Sequence, residues 1–262
     1  MKIYVVNAFT KDKFGGNPAA IVPLSAWIQD SLMQKMAAQH NLSETAFLVP
    51  KGQDYEIRWF TPEVEVDLCG HATLASAHVF YNHLGYTRDQ LIFHSKSGPL
   101  YVSRTKSNGM ITLDFPVNRP SPTEFLPLFE QGLGIKPKEV YISTFDYMVV
   151  LENQKQIEDL APDFQKIAQL NSRGLIVTAK GDRVDFVSRG FFPQSGIDED
   201  PVTGSAHTVL VPYWAEKLGK SSLTAVQLSA RKGLLECELV GKRVLMSGHA
   251  VTYLVGEIQV GD

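Results

Sequence analysis

The chain holds only two cysteines, Cys69 and Cys237, in 262 residues. Their surroundings are unalike, which excludes a disulfide scaffold and a four-thiolate zinc site and fits a reducing, cytoplasmic setting. An excess of either charge is also missing. The 25 Lys and Arg stand against 28 Asp and Glu, with no basic run interleaved with aromatics, so nucleic acid is not an expected partner. No apolar stretch approaches the roughly 20 residues of a membrane span. The start, Met1-Lys2-Ile3-Tyr4-Val5-Val6-Asn7, turns polar too early for a signal peptide, so the expectation is a soluble protein. Lys13-Phe14-Gly15-Gly16-Asn17 has the spacing of neither a dinucleotide nor a nucleoside-phosphate loop. Cys69, His71, His78 and His83 share no familiar metal-ligand spacing, so no metal or cofactor is expected.

What the chain does have is a motif that occurs twice. Asp67-Leu68-Cys69-Gly70-His71-Ala72 opens an apolar run that ends at Leu84-Gly85, and Asp200-Pro201-Val202-Thr203-Gly204-Ser205-Ala206 opens one that ends at Leu218-Gly219. The distance from glycine to glycine is the same in both. The parallel extends to Phe93-His94-Ser95-Lys96-Ser97-Gly98-Pro99-Leu100 and Leu228-Ser229-Ala230-Arg231-Lys232-Gly233-Leu234-Leu235, and to Phe60-Thr61-Pro62 and Phe191-Phe192-Pro193. Together these argue for an internal duplication. With 44% hydrophobic residues, each half can bury its own core.

Turn chemistry and apolar alternation place strands in the first half at 3–9, 19–22, 46–49, 55–60, 91–94, 100–104 and 110–115. An early helix capped by Ser25 carries the stripe Ile28, Leu32, Met36 and Ala37 up to His40. The second half follows a linker at 116–123, with a helix near 124–132 and strands at 140–145, 148–152, 175–179, 184–187 and 235–240. The helices that follow the two motifs lack a polar face, so each is expected to be enclosed. The fold class expected is α+β: two pseudo-symmetric domains, 1–117 and 118–249, each a curled, mostly antiparallel sheet around a central helix. If the halves face each other across a pseudo-twofold axis, both helix starts open into one cleft.

The first N–H groups of a helix lack internal partners, and the macrodipole adds roughly half a positive charge there. Gly70 and Gly204 leave the backbone open to an anion, and Ala72 and Ala206 keep the first turn slim. A small carboxylate substrate is the partner this suggests. His71 reads as a proton donor, a substrate ligand or a capping side chain. Asp200 reads as functional or as a turn acid before proline, while Asp198 and Glu199 read as solvated. Ser205 reads as an N-cap or a substrate contact; it lacks the Gly-x-Ser-x-Gly setting of a hydrolase nucleophile. Cys69 could be a thiolate activated at a helix N-terminus. Glu44, in the polar link Asn41-Leu42-Ser43-Glu44-Thr45, reads by residue chemistry alone as an ordinary exposed acid.

Four segments together resemble the phenazine-biosynthesis PhzF family over essentially the whole chain: Asn17-Pro18-Ala19-Ala20, Asn41-Leu42-Ser43-Glu44-Thr45-Ala46, Asp67-Leu68-Cys69-Gly70-His71-Ala72-Thr73 and Glu199-Asp200-Pro201-Val202-Thr203-Gly204-Ser205-Ala206. The resemblance implies a diaminopimelate epimerase-like fold, with the segment at about 250–262 returning to the first domain and the site in the interdomain cleft. It implies that Glu44 is a general base, with His71, Asp200 and Ser205 as the other polar catalytic groups. Asn17, Gly70, Ala72, Thr203 and Gly204 then fall at substrate-binding positions. The family's characterised reaction isomerises a dihydro-hydroxyanthranilate by moving a proton without metal or organic cofactor, and the family precedent is a homodimer. Related epimerases use one cysteine from each half, whereas this chain keeps only Cys69. The expected function is therefore a cofactor-independent isomerase of a small carboxylic acid. The alternatives are an amino-acid epimerase using Cys69 and a non-catalytic carboxylate-binding protein.

Overall fold

The computed structural model describes residues 1–105 and 107–260; Gly261 and Asp262, at the end of the expected closing segment, lie outside the described residues. The chain divides into two compact units, Met1–Asp114 with Ser247–Asp262, and Phe115–Met246. Each is a mixed, mainly antiparallel sheet around one buried helix, the α+β class expected. No helix among the described residues is long and apolar enough to cross a membrane.

In the first unit the strand Lys2–Ala8 pairs antiparallel with Ala250–Glu257 and with Asn17–Pro23. The sheet then runs parallel to Glu44–Lys51, antiparallel to Asp54–Phe60, parallel to Gln90–Ser95, and antiparallel through Gly98–Arg104 to Ile111–Pro116. A parallel pair needs a crossover, and here the two crossovers carry the helices Asp30–His40 and Gly70–Asn82. Asp30–His40 is one-sided: Met33, Met36 and Ala37 are buried against Ile3, Val22 and Phe47. In Gly70–Asn82, 11 of 13 residues are buried, so the helix is enclosed all round, as its composition demands. Thr73 and Ser76 satisfy their hydroxyls inside it by donating to the carbonyls of Cys69 and Ala72.

The second unit repeats this order strand for strand. Glu139–Ile142 pairs antiparallel with Asp146–Val150, which runs parallel to Gly174–Lys180; that strand is antiparallel to Phe186–Phe192, which is parallel to Ser222–Gln227, itself antiparallel to Gly233–Val240. Helix Gly204–Leu218 fills the second crossover, in the place of Gly70–Asn82. In both units a short strand, Glu65–Val66 or Ile197–Asp200, pairs with the fourth strand just before the buried helix. The register aligns the copies residue by residue. Thr45 faces Phe60 and Leu175 faces Phe191, so Glu44 and Gly174 occupy equivalent strand starts.

Several local expectations are corrected. Ser25 does not cap the first helix; Gln29 does, without a side-chain bond. Trp27 is drawn out of the helical path because its Nε1 donates to Glu56 Oε2 at 3.0 Å and its ring lies under the Arg58 guanidinium. Segment 116–123, expected as the linker, begins just past the unit boundary at Asp114 and Phe115 and carries the short strand Ser121–Pro122, which pairs with Tyr141 and Ile142. Phe145 lies in the turn between two strands rather than in one, and Phe186–Phe192 runs further than expected. Two short helices, Gln154–Glu158 and Phe164–Ile167, were not anticipated; their Ile157 and Ile167 pack against Phe129, Val149 and Phe191.

The turn into Asn17 depends on Gly16. Its φ is +64°, and a Cβ there would lie 2.2 Å from the carbonyl oxygen of Ala8, whose backbone is fixed by pairing with Asn17. Gly16→Ala is expected to lower stability by more than about 1 kcal/mol, because both the left-handed backbone and the contact are unfavourable. Urea denaturation measures this, and a wild-type midpoint would contradict it.

Candidate active site

Three chain segments converge at one end of the first unit's sheet. Asn17 and Glu44 are the first residues of adjacent parallel strands, and Gly70 begins the buried helix. The strand pairing sets Glu44 beside Ala19. Cys69 is the helix N-cap residue in extended backbone, without a side-chain cap bond, so His71 is not a capping side chain. His71 is 3% exposed and becomes the hub of the cluster. Its Nε2 lies 3.2 Å from Glu44 Oε2, at an angle short of a full hydrogen bond. Its Nδ1 lies 3.1 Å from Asn17 Nδ2 and 3.5 Å from Cys69 Sγ.

Burial pushes the His71 pKa down to about 3, against an opposing pull from the Pro18 carbonyl. The ring is therefore neutral at neutral pH and carries one proton. An amide nitrogen only donates, so Nδ1 accepts from Asn17 and the proton belongs on Nε2, on the side of Glu44. The Glu44 side chain is 13% exposed, unlike the solvated acid that local sequence suggested. A carboxylate beside a neutral imidazole N–H, at the start of an enclosed helix, can accept a proton from carbon without its neighbour competing for it.

Donor atoms of Glu44, Cys69 and His71 all lie within 4.8 Å of one another. An oxygen, a nitrogen and a sulfur ligand thus converge in three dimensions where linear spacing displayed no metal-ligand pattern.

The second unit's motif is built differently. Thr203, not Ser205, is the N-cap residue of Gly204–Leu218. Thr203 Oγ1 donates to Asp200 Oδ2 at 2.7 Å, and the buried Gln227 ties the turn together, accepting from Thr203 N and donating to the carbonyl of Asp200. His207 lies one turn into the helix with Nδ1 2.8 Å from the Thr203 carbonyl. The Ser205 hydroxyl is held elsewhere, 3.1 Å from Arg173 Nη2. Glu199 is not solvated: it pairs with Arg189 at 2.8 Å.

Gln227, Arg173 and Asp146 went unnoticed in the sequence. Each reaches the second unit's motif from a different strand or strand start, and only an alignment of strand starts, rather than of helix starts, would have pointed to Arg173-Gly174 as the counterpart of Ser43-Glu44. Of the expected site residues, Asn17, Glu44, Gly70, His71 and Ala72 gather in the first unit, and Asp200, Thr203, Gly204 and Ser205 share one turn of the second. Cys237 is buried in a strand, and burial raises its pKa, which leaves it inert.

The model of a family described as phenazine biosynthesis-like protein matches residues 6–256. An uncharacterized isomerase of Pseudomonas aeruginosa is 49% identical over 99% of both chains. The crystal structure of a PhzF-family phenazine biosynthesis protein from Enterococcus faecalis superposes with a TM-score of 0.95 at 45% identity, covering 99% of each chain. A probable proline racemase from Agrobacterium radiobacter shares the fold at a TM-score of 0.65 and 8% identity, covering 99% of this chain and 93% of the other.

Two buried histidines and a partly buried one contribute to the acid response. Burial holds His71 at about 3 and His207 and His78 at about 4. As pH falls below about 6.5 the unfolded chain takes up protons that the folded chain refuses, so stability falls with pH from there down to the folded values. The fully buried His71 and His207 each add up to about 1.4 kcal/mol per pH unit to that slope, and the partly exposed His78 adds less. Urea unfolding between pH 7 and 5 is expected to show this loss, and a flat profile would contradict it.

Proposed function

The chain belongs to the PhzF family of phenazine biosynthesis-like proteins, an isomerase family by the names of its relatives, and we propose that it moves a proton on a small carboxylic acid by general acid–base catalysis. The observation that carries this reading is the contact between Glu44 and His71 at 3.2 Å. The Glu44 carboxylate takes a proton from carbon, the C–H electron pair passes into the adjacent unsaturated system, and the protonated Glu44 returns the proton to a second carbon. Atoms and charge balance, and the transfer uses only groups the chain carries.

Each neighbour has a role in that cycle. His71, neutral and fixed by Asn17, presents its Nε2–H towards Glu44 Oε2 and so orients the carboxylate; such contacts are commonly loose before substrate binds. The helix-start N–H groups of Gly70, His71 and Ala72 face developing negative charge without reorganising, which is where electrostatic preorganisation contributes most. In the second unit Thr203 and Gly204 provide the equivalent backbone, with Asp200 and Ser205 as its polar side chains.

One observation favours a second reading. Cys69 Sγ lies 3.5 Å from His71 Nδ1, close enough for a thiol to exchange its proton with the ring, as an epimerase acting on an amino acid through Cys69 would require.

Solvent deuterium exchange into a dihydro-hydroxyanthranilate and into a panel of amino acids separates the two. Glu44→Gln is expected to lower the exchange rate by about 10²–10⁴-fold, the range for a positioned acid–base group, while Cys69→Ser keeps most of it. Exchange that survives in Glu44→Gln but disappears in Cys69→Ser would overturn the first reading in favour of the second.

A further inference from the structure

The two units can be compared position by position, and they differ in the sign of the charge brought to the second residue of the buried helix. In the first, the second residue of the buried helix, His71, touches Glu44 at the start of the third strand. In the second, the equivalent residue, Ser205, touches Arg173, which immediately precedes the equivalent strand start Gly174. A group that can take a proton stands in one copy and a cation that never loses its proton stands in the other.

We propose that Arg173, clamped by Asp146, is the positioning residue of the second unit, turning the Ser205 hydroxyl into a donor for the carboxylate of the substrate. The proposal rests on the reading above, in which the helix starts hold an anionic substrate.

Arg173 is built to hold its place. Its Nε donates to Asp146 Oδ1 at 2.8 Å and its Nη2 to Asp146 Oδ2. Asp146 is 1% exposed against 37% for the Arg173 side chain, so the anchor is inside and the guanidinium reaches the surface. Bidentate pairing fixes both direction and plane. The guanidinium also lies over the rings of Phe145 and Phe192, at 5.7 and 5.5 Å. Two glycines make room for the second ring: a Cβ at Gly174 would lie 2.2 Å from Phe192 Cδ1, and one at Gly190 would lie 2.8 Å from its Cε2.

The chemistry of the Ser205 contact follows from what each group can do. A guanidinium only donates, so Ser205 Oγ accepts from Nη2 and its own hydrogen is directed elsewhere. Among the described residues, Nη1 has no hydrogen-bond partner. The cluster therefore presents the Ser205 O–H, Nη1 and the helix-start N–H groups, while both Asp146 oxygens are spent on Arg173. A cationic cluster dominated by donors favours a carboxylate over its neutral amide.

Acetate and acetamide are the probes that test this, read from the amide signals of Gly204, Ser205 and Ala206 in nitrogen-15 NMR spectra of the full chain. Acetate is expected to shift these signals saturably and acetamide to leave them in place. Arg173→Gln is expected to weaken acetate about tenfold, with partial recovery in Arg173→Lys, which restores charge but not the fork. Because Arg173→Gln leaves Asp146 buried without its cation, the neutral pair Arg173→Gln with Asp146→Asn is measured as well, with the same weakening expected in a folded protein. Wild-type acetate affinity in that pair, equal shifts from acetate and acetamide, or shifts that never saturate would each overturn the proposal. Glu44→Gln is expected to keep acetate binding, so failure of the proton-transfer reading, seen as undiminished exchange in that variant, is told apart from failure of this one.

Discussion

The first unit's site depends on a histidine kept neutral by burial. His71 sits at the second position of a helix that the sheet encloses on all sides, and that enclosure costs the imidazolium its hydration. A charged His71 would lock Glu44 into an ion pair. A neutral one forms no such ion pair while still presenting an N–H towards the carboxylate. Asn17 and Gly70 follow from the same demand: one sets the tautomer, the other lets the helix begin close to the strand ends. Even the left-handed turn at Gly16 serves it, because the turn delivers Asn17 to the ring.

Duplication supplied the frame and divergence supplied the chemistry. Both units use the same strand order, the same two parallel joints and a buried helix in the second crossover. A helix start is a generic donor of N–H groups, so what distinguishes the copies is the side chain at the second helical position and the charge brought to it. His71 stands beside Glu44, the carboxylate that carries the proton in the proposed reaction. Ser205 with Arg173 forms a fixed set of donors. The fold itself is shared with a probable proline racemase at 8% identity.

The parts of this arrangement that sequence displays are the ones encoded locally. The repeated Gly-containing turns, the enclosed helices and most strands follow from spacing and apolar pattern, and the resemblance singled out Glu44 when its surroundings did not. What stayed hidden depends on partners far along the chain. Glu44 looks solvated in its polar link because the ring that meets it comes from another element. Arg173 and Asp146, 27 residues apart, are each unremarkable in sequence and meaningful only as a pair. Ser25 is a good cap by composition, yet Trp27 is held by Glu56 and Arg58 of a strand, and this tertiary demand overrode the local preference.

The protonation state of the His71 ring tests the central claim most directly. Nitrogen-15 NMR of the imidazole is expected to show one protonated and one unprotonated nitrogen at pH 7, with the proton on Nε2, and the same state at pH 5. An imidazolium at either pH, or a neutral ring protonated on Nδ1, would contradict the account.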